Sequence, residues 1–300
     1  MAVQSTWRQR LLSLCAALSM AGTAAATEYT PPMDQSIWTV SSSIFACELR
    51  QTVPFYGEAG FYHRAGEQLA MQLRSDTPRL KSGKARLTAR APVWRPKMSN
   101  IDLGLVPVTQ GLQPVRLDSR LSNRALTELH AGRELVVTRY PWYGAQESSR
   151  IALSPINFQA AYQQYLKCLA GLLPVNYDQI ARTSVYFPSS GDDFPGAEKR
   201  KLRHIAIYTL ADPKVSHLFI DGHTDSKGLR EDNLALSKRR AESVQQFLIS
   251  QGIPEDKLTV RWHGERYPVT SNESRKGRAQ NRRVTVRVDR IEVPDLAANP

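Results

Sequence analysis

The 300 residues are 41% hydrophobic and 23% charged, enough chain and enough apolar side chains for two domains of ordinary size. The formal charge is +12 and is spread over both halves: residues 27–174 carry 17 basic and 11 acidic side chains, residues 175–300 carry 21 and 17. In a cytosolic chain that surplus would raise nucleic acid as a partner. The start of the chain argues against it and favours acidic polymers or acidic protein faces of a cell envelope.

Residues 1–26 read as an export signal. Arg8 and Arg10 give a basic start, residues 11–22 form an apolar stretch too short to span a bilayer, and Ala24-Ala25-Ala26 offers the small-x-small pattern of a cleavage site. Cys15 follows Leu14, where lipid attachment needs a small residue, and is expected to leave with the signal. No later stretch is long and apolar enough for a membrane span, so the mature chain is expected to be soluble and held at a membrane or wall only through partners. Two cysteines remain, Cys47 and Cys168. An even count in an exported chain favours a disulfide, and one closing 121 residues would stabilise the fold by ~4–5 kcal/mol in the chain-entropy model.

Residues 27–175 are expected to form a β-rich domain with one packed helix. Apolar and polar side chains alternate over 68–73, 85–89 and 134–140, as in half-buried strands, with turn residues at 81–84 and 131–132 between them. Ser154-Pro155 then signals a helix start, and Phe158, Tyr162, Tyr165, Leu166, Leu169 and Leu172 follow at helical spacing, with Leu173-Pro174 ending it. Cys168 lies on this helix, so the bridge would pin it to the segment around Cys47.

Residues 176–290 alternate types. Strands are expected at 183–187, 215–220, Leu258–Trp262 and 283–288. Helices are expected at 197–210, with Leu202, Ile205, Ala206 and Leu210 inward, and at 233–251, with Ala241, Val244 and Leu248 on one face. A βαβαββ order implies an α/β sandwich, helices on one face of a mixed sheet, and makes the whole chain α+β. The boundary near 175 is short and not rich in Gly or Ser, which favours two domains in fixed or semi-fixed contact. Residues 291–300 read as a loose tail.

The blocks Phe219-Ile220-Asp221-Gly222-His223-Thr224-Asp225, residues 233–241 and Asn281-Arg282-Arg283-Val284 resemble, in order and spacing, the OmpA-like carboxy-terminal domain, which grips peptidoglycan without cutting it. The resemblance implies the same α/β sandwich, a periplasmic location in a Gram-negative bacterium, and a ligand. In such walls the third stem-peptide residue is diaminopimelate, whose side chain ends in an ammonium and a carboxylate on one carbon. A receptor needs an anionic acceptor beside a cation that can fork onto a carboxylate. Carried onto this sequence, the resemblance gives Asp225 the ammonium and Arg240 the carboxylate, with Thr224, Asn233, Leu234 and Arg282 completing the pocket. Asn233, Ser237 and Arg240 share one helix face, which would let Arg240 reach back over the turn. Arg282 and Arg283 alternate across a strand, one supporting the site and the other facing solvent. Relatives continue the first strand into an apolar-acidic segment, whereas this chain has Pro188-Ser189-Ser190-Gly191-Asp192-Asp193, which weakens Phe187 as a ligand contact.

Trp38, Cys47-Glu48-Leu49, residues 56–61, Arg64-Ala65, Pro92-Val93-Trp94-Arg95-Pro96 and Cys168 resemble the MotY family of periplasmic flagellar-motor components. That resemblance implies an amino-terminal domain that joins or forms a ring around the basal body and meets stator or ring proteins, a MotX-like protein or the stator B subunit. The carboxy-terminal domain would anchor the ring to the wall. A general envelope tether unrelated to motility is the alternative. Catalysis is not expected. His63, His130, His204, His217, His223 and His263 are scattered without HExxH spacing, no nucleophile motif is present, and neither metal nor cofactor is implied.

Overall fold

The computed structural model describes residues 26–141 and 147–291. The expected export signal up to residue 25, Cys15 included, and residues 292–300 of the expected tail lie outside the described residues. No helix among the described residues is long and apolar enough to cross a membrane.

The alternation in the first half resolves into two sheets. One takes β2 (Trp38–Ser42), β3 (Ala46–Val53), β4 (Gly57–Arg64), β5 (Ala70–Ser75) and β8 (Val115–Arg116) in that spatial order, each pair antiparallel. The other has the order β1 (Thr27–Tyr29), β10 (Ser149–Leu153), β9 (Glu134–Arg139), β6 (Gly83–Arg90) and β7 (Ile101–Val108), with only β1 parallel to its neighbour. Period-2 side chains supply a shared core: Leu49, Phe61, Met71 and Leu73 from the first sheet meet Leu87, Leu135, Val137 and Ile151 from the second. Gln51 points inward with them and is satisfied by the Ser154 backbone, accepting from its N–H at 2.8 Å and donating to its carbonyl at 3.3 Å.

Two helices close this core. The expected one, α2 (Phe158–Ala170), ends at Gly171 instead of running to Pro174. Cys168 on α2 is bonded to Cys47 on β3, across 121 residues. The other, α1 (Ser119–His130), was not expected from the β-rich pattern. Asp118 caps it by accepting from Leu121 N at 2.8 Å, and Ser122, Ala125, Leu126 and Leu129 turn inward.

The second half is α3 (Tyr177–Ile180), β11 (Arg182–Tyr186), α4 (Gly196–Ala211), β12 (Val215–Gly222), α5 (Arg230–Ser250), β13 (Leu258–Trp262), α6 (Arg275–Asn281) and β14 (Arg283–Arg290). Sheet order is β11-β14-β12-β13, with β12 and β13 parallel and β14 antiparallel to both its neighbours, the expected mixed sheet. Ala241, Val244 and Leu248 of α5 and Leu202, Ile205 and Ala206 of α4 pack on it. Leu210 departs from expectation and is 57% exposed, because Thr209 completes the buried stripe of α4 one position earlier. The short helices α3 and α6 were not anticipated.

The halves are stitched where the two cores meet. Leu172 packs on the first core and Val175 lies in the second. Asn176 caps α3 and donates to Ala65 O at 3.0 Å, while Gln179 donates to Gly66 O at 2.8 Å. Gly66 sits at φ +69°, and a Cβ there would strike the Gln179 side chain. Phe45 packs on Tyr208 with ring centroids 5.5 Å apart, and Arg64 pairs with Asp178 at 2.8 Å.

Candidate functional site

The site begins where β12 runs out. Gly222 lies directly beneath α5, and a Cβ there would enter the Ser237 carbonyl, so only glycine lets the helix approach the strand end this closely. The turn that follows is pinned on both sides: His223 N donates to Arg283 O at 2.9 Å and Thr224 N to Gly264 O at 2.8 Å. Asp225 is thereby held 8% exposed. One carboxylate oxygen accepts from Arg282 Nη1 at 2.9 Å, the other from Lys227 N at 3.2 Å.

Asn233, Ser237 and Arg240 do share a face of α5, and all three are buried. The first two fasten the loop after β13. Asn233 Nδ2 donates to Glu265 at 2.9 Å, and Ser237 Oγ accepts from Gly264 N at 3.0 Å. Arg240 is fully buried, and its guanidinium makes no hydrogen bond to Asp225. It lies over the Phe187 ring at 5.1 Å and donates from Nε to Gly191 O at 3.0 Å and from Nη2 to Pro188 O at 2.9 Å. Ser243, one turn on, holds the same loop through Asp192 O at 2.8 Å. The segment that departs from the family pattern is therefore the seat of the buried cation. Burial, reinforced by the nearby Arg282 charge, pushes the Arg240 guanidinium down to about 10.

The third wall comes from α6 and the start of β14. Asn281 is fully buried and ties the preceding loop, accepting from Val269 N and Thr270 N and donating to Thr270 O and Asn272 Oδ1. Of the two alternating arginines, Arg282 supports the site through Asp225. Arg283 does not face solvent as its alternation suggested. It is 6% exposed and donates to Tyr267 O at 3.2 Å, with burial lowering its pKa.

These elements enclose a cavity of about 490 Å³ lined by Ser189, Thr224, Asp225, Lys227, Asn233, Leu236, Arg240, Arg275, Arg278, Ala279 and Arg282. Two of the lining residues carry a buried polar atom with no hydrogen-bond partner among the described residues, Thr224 Oγ1 and Arg240 Nη1. Buried donors are ordinarily satisfied, and each orphan costs ~1–3 kcal/mol, so two such residues beside a carboxylate make this cavity the candidate ligand site. Two larger cavities, one at the junction against Gly66 and Lys201 and one against Arg95 and Arg133, have no such orphan on their walls.

Five of the six expected pocket residues, Thr224, Asp225, Asn233, Arg240 and Arg282, line this cavity. Leu234 does not. It is 44% exposed, and Leu236 takes the place assigned to it, since i+3 and i+7 from Asn233 share its face of the helix and i+1 does not. Phe187 is 4% exposed beneath Arg240 and supports the cation without lining the cavity. Arg275 and Arg278 were missed because the helix carrying them was missed. The signal was present in Ser274, which caps α6 by accepting from Gly277 N at 2.9 Å. His223 stacks on His263 at 4.9 Å and donates from Nδ1 to Arg266 O at 3.4 Å. Burial and then the Arg283 charge push its pKa down to about 4.

Fold and site together define an OmpA-family domain in the second half, and residues 186–282 match that family. The peptidoglycan-associated lipoprotein of Pseudomonas putida is 36% identical over 107 residues, 36% of this chain and 63% of that one. The crystal structure of the peptidoglycan-associated lipoprotein from Burkholderia pseudomallei shares 31% identity across 35% of this chain and 89% of its own, with a TM-score of 0.34. Residues 29–174 match the MotY N-terminal domain. The sodium-type flagellar protein MotY of Vibrio parahaemolyticus is 28% identical over 295 residues, spanning 94% of this chain and 97% of that one. The chain is thus MotY-like along its length, a MotY N-terminal domain joined to an OmpA-family domain.

Proposed function

We propose that this chain is a non-catalytic, exported component of a bacterial flagellar motor that fastens the basal body to peptidoglycan. The observation that carries the wall-binding half is the cavity in which Asp225 stands beside the orphaned Arg240 Nη1 and Thr224 Oγ1. A diaminopimelate side chain presents the complementary groups on one carbon. Its ammonium would take the free lone pairs of Asp225, and its carboxylate would accept from Arg240 Nη1 and Thr224 Oγ1. Arg282 stays paired with Asp225 and holds one of its carboxylate oxygens in place. Arg240, seated by the 188–191 carbonyls, is already oriented, so little side-chain entropy is lost on binding.

The amino-terminal half supplies the motor connection in this reading, supported by its match to the MotY N-terminal domain. Its net positive charge suits an acidic face on a ring or stator partner, a MotX-like protein or the stator B subunit, and the domain joins or forms a ring around the basal body. Stator units push on the rotor and need a fixed support. Many ring copies each holding one stem peptide turn a modest single-site affinity into firm attachment.

Deleting the gene in its host and scoring swimming speed and flagella in the same cells tests the proposal. Flagellated cells that swim poorly or not at all are expected. Normal swimming would leave a wall tether unrelated to motility.

A further inference from the structure

The cavity holds more positive charge than a diaminopimelate terminus can use. Lys227, Arg240, Arg275, Arg278 and Arg282 line it against the single carboxylate of Asp225. Three of these cations have occupied donors. Arg282 pairs with Asp225 at 2.9 Å, Arg278 Nη1 donates to Asn272 O and Glu273 O at 2.7 Å each, and Arg240 keeps only Nη1 free. The side chains of Lys227 and Arg275 form no hydrogen bond or ion pair with the described residues, and both are exposed at the mouth. A ligand end with one ammonium and one carboxylate is neutral overall. It satisfies Asp225 and Arg240 and leaves Lys227 and Arg275 unmatched. Two unmatched cations on the wall of a partly enclosed cavity repel each other and draw anions.

We propose that Lys227 and Arg275 read a second carboxylate of the bound stem peptide, so that the site selects stems whose other carboxyl groups are free over stems in which they are amidated or joined in a cross-link. The inference rests on the wall-binding reading above. Beyond diaminopimelate, a stem peptide carries the α-carboxylate of its γ-linked glutamate and the carboxylate of its last residue. Lys227 follows Asp225 in the turn that leads into α5, and Arg275 opens α6 on another wall of the cavity, so the pair brackets the route by which the rest of the peptide leaves the pocket.

The test uses the full mature chain and two synthetic tetrapeptides, alanyl-γ-glutamyl-diaminopimelyl-alanine and the same peptide amidated at the glutamate α-carboxyl and the carboxy terminus. Both keep the distal ammonium and carboxylate of diaminopimelate. The wild-type protein is expected to bind the free-acid peptide about tenfold more tightly at low salt, with the difference shrinking as salt is raised. In the Lys227→Gln, Arg275→Gln double variant that preference collapses towards one, with an unchanged melting curve because both side chains are exposed and unpaired. Equal binding of the two peptides by the wild type, or a preference that survives the double substitution, would overturn the inference while leaving the wall-binding reading intact. Binding of neither peptide by the wild type would bring down both.

Discussion

His223 shows what the site costs at the scale of a single residue. It is 6% exposed and stacked on His263, and burial, reinforced by the Arg283 charge, pushes its pKa from 6.5 down to about 4. An unfolded chain takes up a proton as pH falls through 6.5, and the folded chain resists until near 4. The contribution of neutral His223 is therefore complete above about pH 6.5 and is lost progressively as pH falls towards 4, up to ~3 kcal/mol in all. Denaturation at pH 7.5 and 4.5 should show that loss, and His223→Asn should remove most of it. An equal loss in the variant would place the acid sensitivity elsewhere. The cavity's lining was legible at Thr224, Asp225, Asn233, Arg240 and Arg282 because the blocks around them follow the order and spacing of the OmpA-like domain. The reading failed at Leu234, where only the helical phase decides which of two leucines faces the cavity, and at Arg283, where burial under the 267 loop overrides strand alternation.

At the scale of elements, period-2 alternation located β6 and β9, and short apolar runs located the strands of the mixed sheet, with ends either matching or shifted by one or two residues. The helices α1 and α6 escaped because both carry arginines and polar residues on most of their surface. Each nonetheless has a side-chain cap, Asp118 and Ser274, and caps are the more reliable start signal where the apolar stripe is thin. The Cys47–Cys168 bridge joins β3 to α2, and both contribute to the core, so its removal should loosen the whole amino-terminal half. Cys168→Ser is expected to cost ~4 kcal/mol, read as a lower melting temperature and a lower protein level. Identical melting of oxidised and reduced wild-type protein would contradict this. The loop of residues 188–193 could not have been read from the sequence as the seat of Arg240, since backbone carbonyls do the holding and leave no residue signature.

At the scale of the molecule, the junction matters as much as either half. Asn176, Gln179, Phe45 and the Arg64–Asp178 pair hold the carboxy-terminal half against the amino-terminal one, so a pull on the Asp225 cavity would pass through packed side chains and hydrogen bonds and not through a loose tether. A short boundary without Gly or Ser runs hinted at that arrangement, but its contacts join residues more than 100 positions apart in sequence and were not readable from it. The central claim is that the Asp225 cavity grips the wall. Arg240→Ala is a blunt probe of it, because the substitution also strips the 188–191 carbonyls of their donors. Asp225→Asn keeps the shape and removes the charge. The most direct measurement is co-sedimentation of the mature chain with purified sacculi, wild type against Asp225→Asn, with melting curves recorded alongside. The account predicts that the wild type pellets with the sacculi and that the variant, still folded, stays in the supernatant. A folded Asp225→Asn protein that pellets as fully as the wild type would contradict it.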